Sequence, residues 1–379
     1  MTTVDRVPAV LTVPPALSNA ARATIDTPAL IVDLDRMDAA IERMQRSMDE
    51  RGVALRPHAK THKSVEVGRR QLAAGARGLT VGTIGEAEVF ADAGFDDLFI
   101  AYPLVPLGPK ADRLREVARR VHLRVGTDSP MGARAIAEAL GDDRDLVELL
   151  VEIDSGGRRS GVAPENAGEI ARAATDLGLR VVGVFTHGGH GYAGPAAHAS
   201  AADDEVRSLT TAADDLRAHG IEPVVVSAGS TPTALGSARD AVTEERPGTY
   251  VFGDRQQVAL GSIEPDAVAA VVVARVASVS EADHRFVIDA GAKTLTKDVP
   301  AYLAGHAEIP ELDAVVARVS DYHGVVEVPA GAPLPEVGRV VVAVPNHICP
   351  VVDLFDVFTL VRSGDVVDRW RVDAHSRSG

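Results

Sequence analysis

The amino-acid sequence predicts an α/β protein: a (β/α)8 barrel over residues 26–262, then a mostly β domain over 263–379, with residues 1–25 packing against that domain. Three observations lead there. Between residues 28 and 255, short runs rich in Val, Ile and Leu alternate with longer segments of helical period. Eight such runs can be counted, the strand number of this barrel. Beyond about residue 265 the texture changes, and valines alternate with polar residues between Gly and Pro turns, as in strands joined by tight connections.

In order, the apolar runs are "ALIVDL" (29–34), "GVALRPHAK" (52–60), "GLTVGT" (78–83), "DLFIAYP" (97–103), "VHLRVGT" (121–127), "LVELLVEID" (146–154), "LRVVGVFTH" (179–187) and "EPVVVSAG" (222–229). Between them, Met37, Ile41, Met44 and Met48 recur at helical spacing, as do Val206, Leu209, Ala213 and Leu216. Each set offers one apolar stripe to lay on a barrel, and the methionines read as core packing. An open doubly wound sheet is the competing architecture. In the second domain, "AVAAVVVARVASVS", "HRFVIDAGAKTL", "HGVVEVP", "GRVVVAVPNHIC" and "FDVFTLVRSGDVVDRWRVDA" supply the strands.

With 379 residues, 46% hydrophobic and 25% charged, the chain is long enough to bury a full core and has a soluble globular composition. No apolar run approaches bilayer length. The first 25 residues lack the basic start and long apolar core of a signal peptide, and Cys349 is the single cysteine. A cytoplasmic location without an intrachain disulfide is therefore expected. The net charge of −15 disfavours nucleic acid, so the basic stretch "RPHAKTHK" is a local exception suited to a small anionic ligand.

The predicted strand ends collect polar groups where barrels keep their chemistry. If the second strand stays extended, residues 58, 60 and 62 share a face, and Lys60 projects inward between His58 and His62. Neighbouring positive charge favours the neutral amine that attacks a carbonyl. A solvated basic turn is the plainer alternative. In "SAGSTPTA", Gly229, Ser230 and Thr231 could bring backbone N–H groups and hydroxyls to a phosphate, or could simply end a strand. "RPGTYVFGD" adds Gly248 and Tyr250 at the next corner. "GHGYAG" matches a dinucleotide fingerprint, but the following strand ends "VVVSAG" without the acid that such a site requires. His347 and Cys349, two apart and so on one face of a strand, offer imidazole and thiolate to an open metal site; a buried cysteine beside a backbone-bonded histidine is the alternative.

Together, "TPALIVDLDRM", "RPHAKTHK", "VGTIGEAEVF", "VEIDSGGRRSGV", "SAGSTPT", "RPGTYVFGD", "VIDAGAKTL", "DYHG" and "PNHICP" resemble the D-threonine aldolase and D-serine dehydratase family, in order from residue 27 to about 355. These are pyridoxal 5'-phosphate (PLP) enzymes of the alanine racemase fold type. The resemblance implies a PLP-binding barrel, a C-terminal β domain, a homodimer and a divalent metal, Mn2+ or Zn2+. It implies that Lys60 carries the cofactor and that Arg159, in Arg-x-Gly-Val, contacts its ring. Gly229, Ser230, Thr231, Gly248 and Tyr250 are implied to cradle the phosphate, and His347 and Cys349 to hold the metal. His187 stands where many relatives carry tyrosine, and is a candidate for packing beside the cofactor or relaying a proton. Asp321 and His323 fall in a recurring stretch without an assigned role.

The activity the resemblance implies is cleavage of D-β-hydroxy amino acids to glycine and an aldehyde. A metal ion would acidify the β-hydroxyl before the Cα–Cβ bond breaks. The alternative is a D-serine dehydratase, in which Lys60 removes the Cα proton and the β-hydroxyl leaves, giving a 2-oxo acid and ammonia. A non-catalytic PLP-binding protein would not need the metal pair, and a racemase would need a second base. The expected partner is a small D-amino acid, with no nucleic acid and no membrane.

Overall fold

The computed structural model of the chain describes residues 12–329 and 331–379. It divides into two compact units. One comprises 42–60, 67–248 and 376–379, and the other comprises the residues up to Ile41, 61–66 and 249–375.

The first unit is built on an all-parallel eight-stranded sheet. In neighbour order its strands are Ala54–Leu55, Glu244–Glu245, Val225–Ala228, Arg180–Thr186, Val147–Ile153, His122–Thr127, Asp97–Pro103 and Leu79–Val81. Its two edges are linked where Arg77 and Thr80 donate backbone N–H groups to the carbonyls of Leu55 and Pro57, at 2.9 and 2.8 Å. Helices cover the outside. Ile84–Asp92 and Pro130–Leu140 start at Thr83 and Ser129, whose side chains accept from Glu86 and Gly132 N–H at 3.0 and 3.1 Å. The long helix His198–Ala218 buries Val206, Leu209, Ala213 and Leu216 against a core that includes Ile153, Val184 and Val226. Each such Leu or Val contributes about 1.5–3 kcal/mol by leaving water.

The barrel differs from the sequence reading at its first and eighth strands. Glu244–Glu245 is the eighth strand, and it escaped notice because it is two residues long and acidic. It tolerates that composition because Glu244 is neutralised inside the barrel. Arg56 donates to Glu244 at 2.7 Å and to Asp97 at 2.7 and 2.9 Å, while Arg124 donates to Glu148 at 2.9 Å and to Glu244 at 3.1 Å. Burial works against the Glu244 charge, but the two guanidinium groups hold its carboxyl below the usual range. Farther along the barrel, Phe99 and Phe185 meet edge to face at 5.1 Å, with the Arg246 guanidinium over both rings.

The second unit carries a nine-stranded sheet. Arg285–Ile288, Gly324–Glu327, Ala314–Val319, Ala307–Ile309, Val340–Pro345 and Ala270–Ser280 follow one another, and the last pairs back with the first to close a six-stranded barrel. Ala29–Asp33 continues this sheet, antiparallel to Ala270–Ser280 and parallel to Val357–Arg362. This is the run assigned above to the first strand of the α/β barrel. A short apolar run buried on both faces reads the same in either sheet, so periodicity could not place it. Its Ile31 joins Val271, Val273, Val342, Val344 and Val361 in one core, together with Leu17, Ala21 and Ile25. Residues 1–11 of the segment expected to pack here lie outside the described residues. Among the described residues no helix is long and apolar enough to cross a membrane.

Candidate functional site

The carboxyl ends of the barrel strands surround a cavity of about 510 Å3, lined in part by His58, Lys60, Gly82, Tyr102, Asp128 and Arg159. Lys60 does not reach it from an extended strand. The strand ends at Leu55, and Ala59–Thr61 form one 3-10 turn in which the Lys60 N–H meets His58 Nδ1 at 3.4 Å. The turn breaks the alternation that placed His58, Lys60 and His62 on one face. His62 is fully buried in the other unit, with its Nδ1 accepting from Ser64 N–H at 3.1 Å. Lys63, also in that unit, has a left-handed backbone (φ +49°) and lies 2.9 Å from Asp353. Of the two lysines in the basic stretch, only Lys60 lines the cavity.

Arg159 belongs to the loop after the strand Val147–Ile153. Asp154 Oδ1 ties that loop by accepting from Gly156 and Arg158 N–H at 2.9 and 3.0 Å. The Arg159 side chain is 62% exposed and reaches Glu152 at 3.6 Å, so it stands at the cavity rim. Lys60 and Arg159 against Asp128 leave the lining cationic, which suits an anionic ligand.

His187 follows the strand Arg180–Thr186, and its Nδ1 lies 3.2 Å from the carbonyl oxygen of Gly229. Burial, reinforced by the charges of Lys60 and Arg159, lowers its pKa to about 3. The imidazole is therefore neutral at neutral pH. Gly229 itself has φ +116°, and its N–H donates to Glu205 Oε1 at 3.1 Å. Ser230 and Thr231 are buried, and the Ser230 and Thr233 hydroxyls meet at 2.9 Å. The positive φ favours glycine, and a Cβ here would also strike the Glu245 carboxylate and the Arg246 backbone N. Gly248 is buried at the end of the same unit. Tyr250 lies in the other unit, in the one-turn helix Thr249–Val251, and is 3% exposed.

His347 and Cys349 are not on one strand face. The strand Val340–Pro345 ends before them, His347 caps the helix Ile348–Val352, and Cys349 lies within that helix. The corner still brings their side chains into contact. Burial disfavours a charged His347 imidazole, but Cys349 and Asp298 raise its pKa to about 11, with Asp298 Oδ2 at 2.8 Å from Nδ1. The Cys349 sulfur lies 3.2 and 3.6 Å from the hydroxyls of Thr61 and Thr249. Burial raises Asp254, whose Oδ2 accepts from Ile348 N–H at 3.0 Å, to about 6. Among the described residues no group of three or more His, Cys, Asp or Glu side chains is arranged to hold a metal. A closed structural site, which takes four such ligands, is therefore not formed by these residues. Asp321 and His323 are exposed, with Asp321 3.7 Å from Lys293.

Sequence reasoning missed the acids behind the Gly229 turn, Glu205 and Glu245, and Glu152 beside Arg159, all buried. A signal existed in "TEERPG", two acids and an arginine directly before the glycine and tyrosine of the expected cradle.

Comparison with known proteins matches residues 32–256 to the model of the alanine racemase N-terminal domain and residues 269–361 to that of a putative serine dehydratase domain. The D-threo-3-hydroxyaspartate dehydratase of a Delftia species is 37% identical over 371 residues, covering 92% of this chain and 97% of that protein. The D-threonine aldolase of an Arthrobacter species is 34% identical over 377 residues, covering 96% and 97%. A cysteine-to-alanine variant of the D-threo-3-hydroxyaspartate dehydratase, solved in the metal-free form, superimposes with a TM-score of 0.84 at 35% identity, covering 92% of this chain and 97% of that one. The D-threonine aldolase from Filomicrobium marinum gives 0.84 at 30% identity, covering 93% and 96%. Similarity of this extent, in both halves of the chain and over the length of each relative, makes this protein a member of the alanine-racemase-fold family of PLP-dependent enzymes that includes the D-threonine aldolases and D-serine dehydratases.

Proposed function

We propose that the protein is a lyase that removes the β-hydroxyl of D-β-hydroxy amino acids and releases a 2-oxo acid and ammonia. The observation that carries this reading is the full-length similarity to a D-threo-3-hydroxyaspartate dehydratase, 37% identical over 92% of the chain. Elimination thereby replaces aldol cleavage as the first reading. Aldol cleavage stays second, supported by the 34% identity to a D-threonine aldolase.

The residues present fit PLP. The cationic cavity holds one lysine amine, and the buried 229–231 turn presents small residues and hydroxyls. Lys60 would carry the cofactor, Arg159 would contact its ring, and Gly229, Ser230 and Thr231, with Gly248 and Tyr250, would hold its phosphate. Bound PLP supplies an electron sink for the pair left at the substrate Cα. Lys60 Nζ would be the base that takes the Cα proton. His187, neutral at neutral pH, can pass or accept a hydrogen bond without adding charge beside that amine.

His347 and Cys349 are the donors we assign to a divalent ion, Mn2+ or Zn2+, and the metal-free cysteine variant of the relative supports this assignment. Such an ion supplies the Lewis acidity that a departing hydroxyl needs. Overall the Cα–H and Cβ–O bonds break, water leaves, and the released enamine hydrolyses to the oxo acid and ammonia. The family resemblance further supports a homodimer.

The test incubates the purified protein, PLP and Mn2+ or Zn2+ with D-threonine, D-serine and D-threo-3-hydroxyaspartate. Oxo acid with stoichiometric ammonia is expected. Glycine with an aldehyde, and no ammonia, would transfer the assignment to the aldolase reading.

A further inference from the structure

Two glutamates behind the Gly229 turn have no place in the chemistry above. Glu205 comes from the helix His198–Ala218 and Glu245 from the strand Glu244–Glu245, and both are 0% exposed. Glu205 Oε1 accepts from the N–H groups of Gly188 and Gly229 at 2.8 and 3.1 Å. Glu245 Oε1 accepts from Ser237 Oγ at 2.7 Å. The other oxygen of each, Oε2, is buried without a hydrogen-bond partner among the described residues. Both carboxyls press on the same backbone. A Cβ at Gly188 would fall 2.7 Å from Glu205 Cδ, and one at Gly229 would strike Glu245 Oε2.

A buried carboxylate oxygen without a donor costs about 1–3 kcal/mol or more, and two charged carboxylates side by side add their repulsion. The surrounding charges do not relieve this. Arg246 is the cation facing both, and it donates to Ser227 Oγ and the Thr186 carbonyl. Glu244 is taken by Arg56 and Arg124, while Glu152 faces Arg159 at 3.6 Å. One guanidinium against two carboxylates balances if the pair keeps one proton. Burial pushes both carboxyls up, Glu245 well above the usual range with the Glu205 charge adding to it. The Thr233 hydroxyl and the two glycine N–H groups favour the charged form of Glu205.

We propose that Glu205 and Glu245 share one proton beneath Gly229, and that this acid–carboxylate pair sets the 229–231 turn in the shape that receives a phosphate. The second half rests on the phosphate reading of that turn. Glu205 holds the Gly229 N–H, Glu245 fills the space behind its Cα, and His187 meets its carbonyl. Both glutamates are positioning residues, since neither is assigned a contact with the cofactor.

Infrared difference spectra of the full-length chain, wild type minus E205Q and wild type minus E245Q, test the proton. One carbonyl band of a protonated carboxyl, shifted in D2O, is expected to vanish in each variant, because the remaining glutamate then ionises against the amide. No such band, or two distinct bands lost separately, overturns the pair. Titration of the PLP-free chain with PLP and with pyridoxal, which lacks the phosphate, tests the positioning. E245Q should bind PLP within about threefold of wild type, because the amide donates where the acid did. E245A should lose about tenfold or more for PLP and little for pyridoxal. In E245A, equal losses for the two ligands, or none, overturn the positioning role, and E245D, which draws the carboxyl back from Gly229 by one methylene, carries the same test if E245A does not fold. If wild type holds pyridoxal as tightly as PLP, the phosphate reading fails and takes the positioning half with it, while the band still decides the shared proton.

Discussion

Lys60 leaves the backbone from a single 3-10 turn, with its own N–H toward His58 Nδ1. Borohydride reduction of the PLP-loaded protein, followed by peptide mapping, should place the label on Lys60. Label on Lys63 would refute the assignment, and Lys63 is already committed at 2.9 Å to Asp353. Lys60→Ala should lower turnover by about a thousandfold or more, since one group would both carry the cofactor and move the proton. His187 yields a pH prediction. Its folded-state pKa of about 3 lies below the unfolded value near 6.5, so the unfolded chain takes up the proton first. Stability linked to this group is complete above about pH 6.5 and is lost as pH falls from there toward 3. Chemical denaturation between pH 7 and 4 should therefore show a shallower loss of stability in His187→Phe than in wild type; equal slopes would mean that the imidazole is not held neutral.

At the scale of elements, one of the two shortest strands of the barrel, Glu244–Glu245, is also the most heavily charged, and its place depends on arginines supplied by distant segments. Arg56→Met should destabilise the protein by about 3 kcal/mol, because it leaves the buried Glu244 and the half-buried Asp97 with fewer partners. Urea denaturation measures this, and a change below about 0.5 kcal/mol would mean that the network is incidental. The barrel strands with long apolar runs and the helices with clear stripes were legible, because burial on one face or two leaves a periodic trace. The pair Glu244–Glu245 was not, since its pattern makes sense only beside Arg56 and Arg124. The 3-10 turn at Lys60 was hidden for a related reason. Its sequence alternates like a strand, and the backbone pairs like one as far as His58, whose N–H donates to the Pro247 carbonyl, before the turn Ala59–Thr61 begins.

For the molecule as a whole, the proposed dehydration and the proposed metal role of His347 and Cys349 are tested together. Exhaustive chelation should abolish turnover while the PLP absorbance stays, and His347→Ala or Cys349→Ala should reproduce that loss. Full activity after chelation would remove the metal from the mechanism. Light scattering should return the mass of two chains, whereas a single-chain mass would refute the homodimer. The motifs around Lys60, Arg159, Gly229 and His347 were enough to predict the family, and the alternation of apolar runs was enough to predict a barrel followed by a β domain, because both are written in local residue order. Tertiary structure decided what local order cannot encode: that Ala29–Asp33 pairs with Ala270–Ser280, that Glu244–Glu245 completes the barrel, and that Glu205 and Glu245 converge on Gly229. Each of these depends on a partner beyond the local stretch of chain, whose charge or hydrogen bonds reach the segment only once the chain has folded.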